Sequence, residues 1–349
     1  MSNAALHQRP AFLGARLGPY NGVETALDFG DPVKEFTALR ESCGIFLLPW
    51  RAKITVTGKD RVRWLHNMVT NNVRDLALSR GAYNFVLNAQ GRILGDMYIY
   101  NRGEFLQLDT DRAQVEPLLT AMKRFIIMDN VEMNVAGDLS AIGICGVKAP
   151  EVLAAAGIDP GGLEPLEIRE QTLADLGVAL VRGPEQKPGW YEAWIDGTRA
   201  ENLWEKLLSA GAQPVGAQAL EWWRVVHGIP HYGQDIRDRD LPQETEQIQA
   251  LNFTKGCYIG QEIVERVRSR GQVHRKFTGF EFEEGPLAPG KYESEGRALA
   301  EITSVARIPA AEGNRNLGLG YVRREAASSG PQLDLTGHKA RIVDLPFAI

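Results

Sequence analysis

The sequence predicts an α+β protein that ends in a small β-barrel, and three observations carry the prediction. Strand and helix patterns between Lys53 and Val135 follow the order β-α-β-β-β-α-β, which suits an antiparallel sheet with helices on one face. A second mixture of strands and helices runs from Glu151 to His227. From Val273 the pattern changes to short apolar runs between Gly, Pro and Ser clusters, with no long helix, as in a barrel over residues 273–349.

Asp31-Pro32 opens a helix. Asp can cap it, Pro suits its first position, Val33, Phe36 and Leu39 form an apolar stripe, and Gly44 is the expected stop. Lys53 to Thr57 alternates as a strand, and Asp60 to Met68 reads as a helix with Val62, Leu65 and Met68 inward. Strands are expected at Tyr83 to Asn88, Ile93 to Tyr100 and Phe105 to Leu108, separated by the turns Ala89-Gln90-Gly91 and Asn101-Arg102-Gly103. A helix from Asp111 to Phe125 and strands at Val131 to Val135 and Ala141 to Cys145 complete the first part. The second has a short helix near Glu151 to Ala156, strands at Val178 to Arg182 and Trp190 to Ile195, and helices at Arg199 to Ala210 and Ala217 to His227.

With 349 residues the chain is long enough for two or three domains and a substantial core. A net charge of −5 gives no general reason to expect nucleic acid as a partner. The basic cluster of Arg266, Arg268, Arg270, His274, Arg275 and Lys276 reads as a solvated helix face or as a seat for an anion. The cysteines Cys43, Cys145 and Cys257 are odd in number and lack zinc spacing. They argue for a reducing compartment and against a cluster held by this chain alone. Arg9 and Arg16 interrupt any N-terminal apolar run, so a cytoplasmic protein is expected, with no membrane partner and no metal site.

Residues 255 to 262 read Lys-Gly-Cys-Tyr-Ile-Gly-Gln-Glu, ahead of a helix expected from Gln261 to Arg270 with Ile263, Val264 and Val267 on one face. The helix start and Lys255, two residues away in an extended segment, both favour a thiolate at Cys257. A small buried hydrophobe in a tight turn is the alternative.

Two carboxylates also stand out. In the strand from Ile93, Asp96 shares a face with Leu94, Tyr98 and Tyr100, a setting that suits a stacked pterin with N–H donors. An exposed strand face with tyrosines at its rim is the other reading. Glu192 shares a face with Trp190 and Trp194 and can accept a parallel pair of N–H bonds; a surface glutamate is the alternative. His227 and His231 are separated by Gly228 and Pro230, which break the helix that a metal pair would need.

The octapeptide resembles the signature of the YgfZ family, folate-binding proteins related to the glycine cleavage T-protein (aminomethyltransferase, GcvT superfamily). Lys53 to Asp60, Thr70 to Val73, Leu87 to Arg92, Gly228 to Pro230, Leu241 to Glu244, Glu301 to Ser304 and Leu345 to Phe347 resemble further landmarks in the same order. The resemblance spans about residues 20 to 349. It implies two interleaved, ferredoxin-like α+β domains over residues 20–250, a signature segment at 251–272 and the barrel at 273–349, arranged as a three-domain ring. It implies tetrahydrofolate, or a one-carbon form of it, as ligand. Asp96, Cys257 and Lys255 would be the working groups, with Asp96, Tyr98, Glu192, Arg224 and Tyr258 against the folate; a structural part for Arg224 is the alternative.

T-proteins carry two adjacent aspartates after the Gln-Gly turn, where this chain has Gly95-Asp96. They carry a tail-holding arginine where this chain has Leu220. The resemblance therefore implies a folate-binding accessory protein for iron–sulfur enzyme assembly or repair, with iron–sulfur client or assembly proteins as partners. Its rival is a tetrahydrofolate-dependent aminomethyltransferase or related demethylase, and a third reading is an interaction scaffold without folate.

Overall fold

The computed structural model describes residues 14–173, 176–271, 273–285, 288–294, 297–310, 313–328, 330–335 and 337–348. The N-terminal stretch around Arg9 lies outside them. The chain divides into two compact units, the first of residues up to His66, 72–83 and 97–220, the second of 67–71, 84–96 and 221–349.

The first elements are a hairpin, β1 (Arg16–Tyr20) and β2 (Val23–Asp28), turned at Asn21-Gly22 with both residues at positive φ. An Asn-Gly turn of this kind matches the twist of paired strands. Helix α1 (Pro32–Glu41) starts as expected, with the Asp31 carboxylate accepting from the Lys34 amide at 3.1 Å. It stops earlier than expected, because Gly44 begins β3 (Gly44–Leu47). A Cβ on Gly44 would lie 2.7 Å from the side chains of Leu39 and Val215, so close packing, not helix termination, calls for glycine there.

Next come β4 (Arg51–Thr57), α2 (Arg61–Met68), β5 (Gly81–Leu87), β6 (Ile93–Asn101), β7 (Leu106–Asp111), α3 (Arg112–Lys123), β8 (Glu132–Val135) and β9 (Leu139–Cys145). They are followed by α4 (Ala149–Ala155), β10 (Ile168–Leu173), β11 (Leu176–Arg182), β12 (Trp190–Asp196), α5 (Ala200–Ser209), β13 (Gln213–Pro214) and α6 (Ala217–Val226). The remainder holds α7 (Gln261–Arg270), β14 (Arg275–Phe282), β15 (Gly290–Ser294), β16 (Arg297–Ile308), β17 (Arg315–Arg323), α8 (Arg324–Ser328), β18 (Gln332–Leu335) and β19 (His338–Val343). No helix among the described residues is long and apolar enough to cross a membrane.

In the first unit one sheet has the order β10-β11-β12-β9-β3-β13 and is antiparallel except for the short parallel β13–β3 pair. Alternation along β12 sends Tyr191, Ala193 and Ile195 into a core with Leu153 of α4 and Leu203 and Leu207 of α5. Each such aliphatic side chain contributes about 1.5–3 kcal/mol when fully buried. The opposite face of β12 carries Trp190, Glu192 and Trp194. A five-stranded sheet has the order β5-β6-β7-β4-β8, and the hairpin end at residues 84–96 groups with the second unit.

The second unit is built on an antiparallel sheet of order β15-β16-β17-β14-β19-β18 around Phe280, Ile302, Val322 and Leu335. The expected barrel is corrected to a curled half-barrel: among the described residues no ladder joins its edge strands β15 and β18. One fully buried carboxylate ties this sheet to α6. Asp235 accepts from Thr303 and Ser304 hydroxyls at 2.5 and 2.7 Å and from the Arg224 guanidinium at 2.6 Å. Removing one partner of a buried ion pair leaves the other charge uncompensated. Asp235→Ala is therefore expected to destabilise the second unit by about 3–5 kcal/mol, measured as a shift of the urea midpoint; a change within about 0.5 kcal/mol, typical of surface sites, would refute that role.

Candidate functional site

In the first unit Glu192 projects from β12 into a nearly dry environment and is 9% exposed. Its carboxylate accepts from the indole N–H of Trp190 at 3.2 Å and of Trp194 at 2.9 Å. Lys53 on β4 comes to 3.6 Å from the same carboxylate, lies 4.2 Å over the Trp194 ring, and donates to Asp109 at 2.6 Å. Arg51 bridges Asp109 at 2.9 Å and Asp111 at 2.8 Å. This follows from register: Lys53 pairs with Asp109 and Arg51 with Asp111 across β4 and β7, so all four side chains share one face.

Burial by itself would raise the Glu192 pKa. Lys53, Arg51 and Lys187 outweigh that and hold the carboxyl at about 2, so it is ionised. Lys187 sits on the β11–β12 turn with its ammonium 4.7 Å over the Trp190 ring; burial lowers its pKa and Glu192 opposes the drop. Tyr98 of β6 pairs with Asp109, and its ring lies 4.9 Å from that of Tyr83. Tyr100 meets Trp194 edge-on at 5.3 Å. The result is a charged carboxylate with spare lone pairs among aromatic rings, a surface able to take N–H donors from a flat heterocycle.

Sequence reasoning singles out Glu192 and Tyr98 but not Lys53, Arg51, Asp109, Asp111 and Lys187 on the charged face beside Glu192. The alternation of Gln107, Asp109 and Asp111 along β7 is the signal that could have exposed part of the face. The reading of Glu192 as a surface residue does not hold.

The remaining candidates lie in the second unit. Asp96 is half-buried near Tyr232, whose hydroxyl donates to the Leu94 carbonyl at 2.8 Å. Burial pushes the Tyr232 phenol up to about 12, with Asp96, Asp238 and Asp240 adding to the rise. Arg224 as a folate contact is corrected: Glu221, Asp235, Ile229 and Ser304 take up its guanidinium donors, so it is a structural clasp. The basic cluster also divides, with Arg275 locked onto Asp240, Glu244 and Glu301 while Arg268 pairs with Glu265.

The octapeptide needs a similar correction. The segment is not a strand: Lys255 ends a bend and residues 256–258 have no regular structure, with Lys255 buried and Cys257 exposed. Lys255 is 8% exposed, and its ammonium donates to the Val69 and Asn71 carbonyls at 2.6 and 2.8 Å. That anchors the segment and withdraws Lys255 from a catalytic part. Tyr258 is buried with the Lys255 ammonium 5.0 Å over its ring. Helix α7 starts at Gln261 as expected, with Val264 inward. Cys257 is exposed, whereas Cys43 and Cys145 are buried. Burial pushes the Cys43 thiol up to about 12 and raises that of Cys145 further, so desolvation, not a helix end, makes Cys43 a weak acid.

Comparison with known proteins fits this geometry. Aminomethyltransferase of Symbiobacterium thermophilum is 26% identical over 375 residues, covering 99% of this chain and 98% of that protein. Aminomethyltransferase of Nostoc sp. is 26% identical over 366 residues, covering 99% and 96%. The crystal structure of glycine cleavage system aminomethyltransferase T from Bartonella henselae superposes with a TM-score of 0.86 at 21% identity, covering 99% of this chain and 96% of that one. The sequence pattern of the GCVT N-terminal domain matches residues 6–255, and on that match the chain belongs to the GCVT N-terminal domain family.

Proposed function

We propose that this protein is a tetrahydrofolate-dependent one-carbon protein of the aminomethyltransferase type. Proteins of the aminomethyltransferase family use tetrahydrofolate as the one-carbon acceptor. The observation that carries the reading is Glu192, a buried carboxylate kept ionised among Trp190, Trp194 and Tyr100. It would accept N–H donors from the pterin, which Tyr100 would flank. When bound, tetrahydrofolate supplies the nitrogens that receive the one-carbon group. By its resemblance to the T-protein pattern, Asp96 is proposed as a working carboxylate of the transfer. With Gly95 beside it in place of a second aspartate, and Leu220 in place of a tail arginine, transfer is expected to be slow.

The second reading is the accessory role in iron–sulfur enzyme assembly or repair, with tetrahydrofolate retained. Exposure of Cys257 favours it, because a thiol must reach solvent to meet another protein. The likeness to aminomethyltransferases along the whole chain ranks it below the first.

Glu192→Gln is expected to weaken tetrahydrofolate binding by about 1.5–3 kcal/mol, the usual cost of losing a charged hydrogen-bond partner, as calorimetry would read. The folded pKa of about 2 lies below the ordinary 4.5, so the stabilisation from Glu192 is complete above pH 4.5 and is lost as pH falls through 2. The same variant should lack about 3 kcal/mol of that acid-dependent loss. Unchanged affinity and an unchanged acid profile would remove Glu192 from the site.

The two functions separate in one assay. With an aminomethyl-loaded lipoylated carrier, methylene-tetrahydrofolate should form above the protein-free rate but below about 1 s⁻¹, the low end for ordinary enzymes. Binding without any turnover would promote the accessory role, and no binding would end both. Mass spectrometry after alkylation should find Cys257 modified well before Cys43 and Cys145. Equal rates would end a thiol-based role for Cys257.

A further inference from the structure

The polar face of the five-stranded sheet holds a side chain that the site described above does not use. Gln107 lies on β7, in register with Thr55 of β4 and Tyr100 of β6. Strand alternation puts it on the face of Asp109, which pairs with Lys53. It is 3% exposed, and its amide nitrogen is sealed from solvent without a hydrogen-bond partner. A buried donor left in that state is rare and destabilising, so it calls for an acceptor that arrives from elsewhere. The surroundings are those of the ligand face. Tyr100, opposite Gln107, meets Trp194 edge-on at 5.3 Å, and the Trp194 indole donates to Glu192 at 2.9 Å.

We propose that Gln107 is a ligand-binding residue that donates its amide N–H to the carbonyl oxygen of the pterin ring. The inference rests on the tetrahydrofolate reading. A pterin presents N–H donors and, beside them, a carbonyl acceptor. Glu192 is acceptor-only when ionised and can read the donors. Gln107 supplies the complementary donor, linked to Glu192 through Tyr100 and Trp194. Together they distinguish a pterin from a flat ring that offers donors alone. An amide kept for an internal water would leave ligand affinity unaffected when it is removed.

Calorimetry with tetrahydrofolate and with tetrahydropterin, which lacks the tail, tests this on wild type, Gln107→Leu and Gln107→Glu. Gln107→Leu removes the donor at similar volume, and Gln107→Glu keeps the shape but presents an acceptor. Both ligands should bind Gln107→Leu about tenfold more weakly, and Gln107→Glu more weakly still. The melting temperature of ligand-free Gln107→Leu should be unchanged or raised, because no orphan donor remains. Wild type and Gln107→Leu binding with equal affinity would overturn the inference and leave the folate reading standing. Failure of wild type to bind either ligand would overturn both. A lowered melting temperature in Gln107→Leu together with wild-type affinity in Gln107→Glu would make the amide a structural group and overturn the inference.

Discussion

The first unit depends on one ammonium group, that of Lys53, held between Asp109 and Glu192. It is 4% exposed, so water cannot compensate its charge and the carboxylates must. Asp109 belongs to the five-stranded sheet and Glu192 to the six-stranded one, so this contact fastens the two sheets where their polar faces meet. The neighbouring charges follow from it. Arg51 answers the surplus on Asp109 and Asp111, the indoles of Trp190 and Trp194 cap Glu192, and Lys187 comes in from the turn. Three cations thus face three carboxylates. On the proposed function, such an arrangement has its charges and dipoles oriented before a ligand arrives.

The second unit solves the same burial problem with different partners. The Lys255 ammonium donates to two backbone carbonyls, those of Val69 and Asn71. Asn252 donates its amide to the Thr70 carbonyl, and the Thr70 hydroxyl donates to the Ala250 carbonyl. Segments distant in sequence are joined through main-chain groups, so the identity of Lys255 matters more than the residues it touches. Arg224 and Arg275, in contrast, work through charge against Asp235 and Asp240.

Elements with strong local signals are legible in the sequence. Asp31-Pro32 does cap a helix, Gln261 does begin one, and β4, β6 and β12 lie where alternation puts them. The first hairpin escapes because β1 is short and half-exposed, although Asn21-Gly22 announces its turn. Glu192 is legible because two tryptophans flank it on its own strand. Lys53 and Asp109 are not, since their meaning lies in a pairing between strands far apart in sequence. Lys255 and Arg224 are misread for a related reason: a charged side chain beside a motif suggests chemistry, and only the fold reveals that its hydrogen bonds are already taken.

Gly260 carries a consequence for the motion of the signature segment. It starts α7 at a φ of +83°, without a side-chain cap, and a Cβ there would fall 2.6 Å from the Asn88 carbonyl. Serine or aspartate cannot be placed there to hold the first turn, because the left-handed backbone and the close approach both exclude them. The helix start is therefore packed tightly against the turn at residues 88–92, where a Cβ on Gly91 would fall 2.7 Å from Ile263. Opening of that turn and fraying of α7 become a single event, and backbone amides in both would exchange with solvent together.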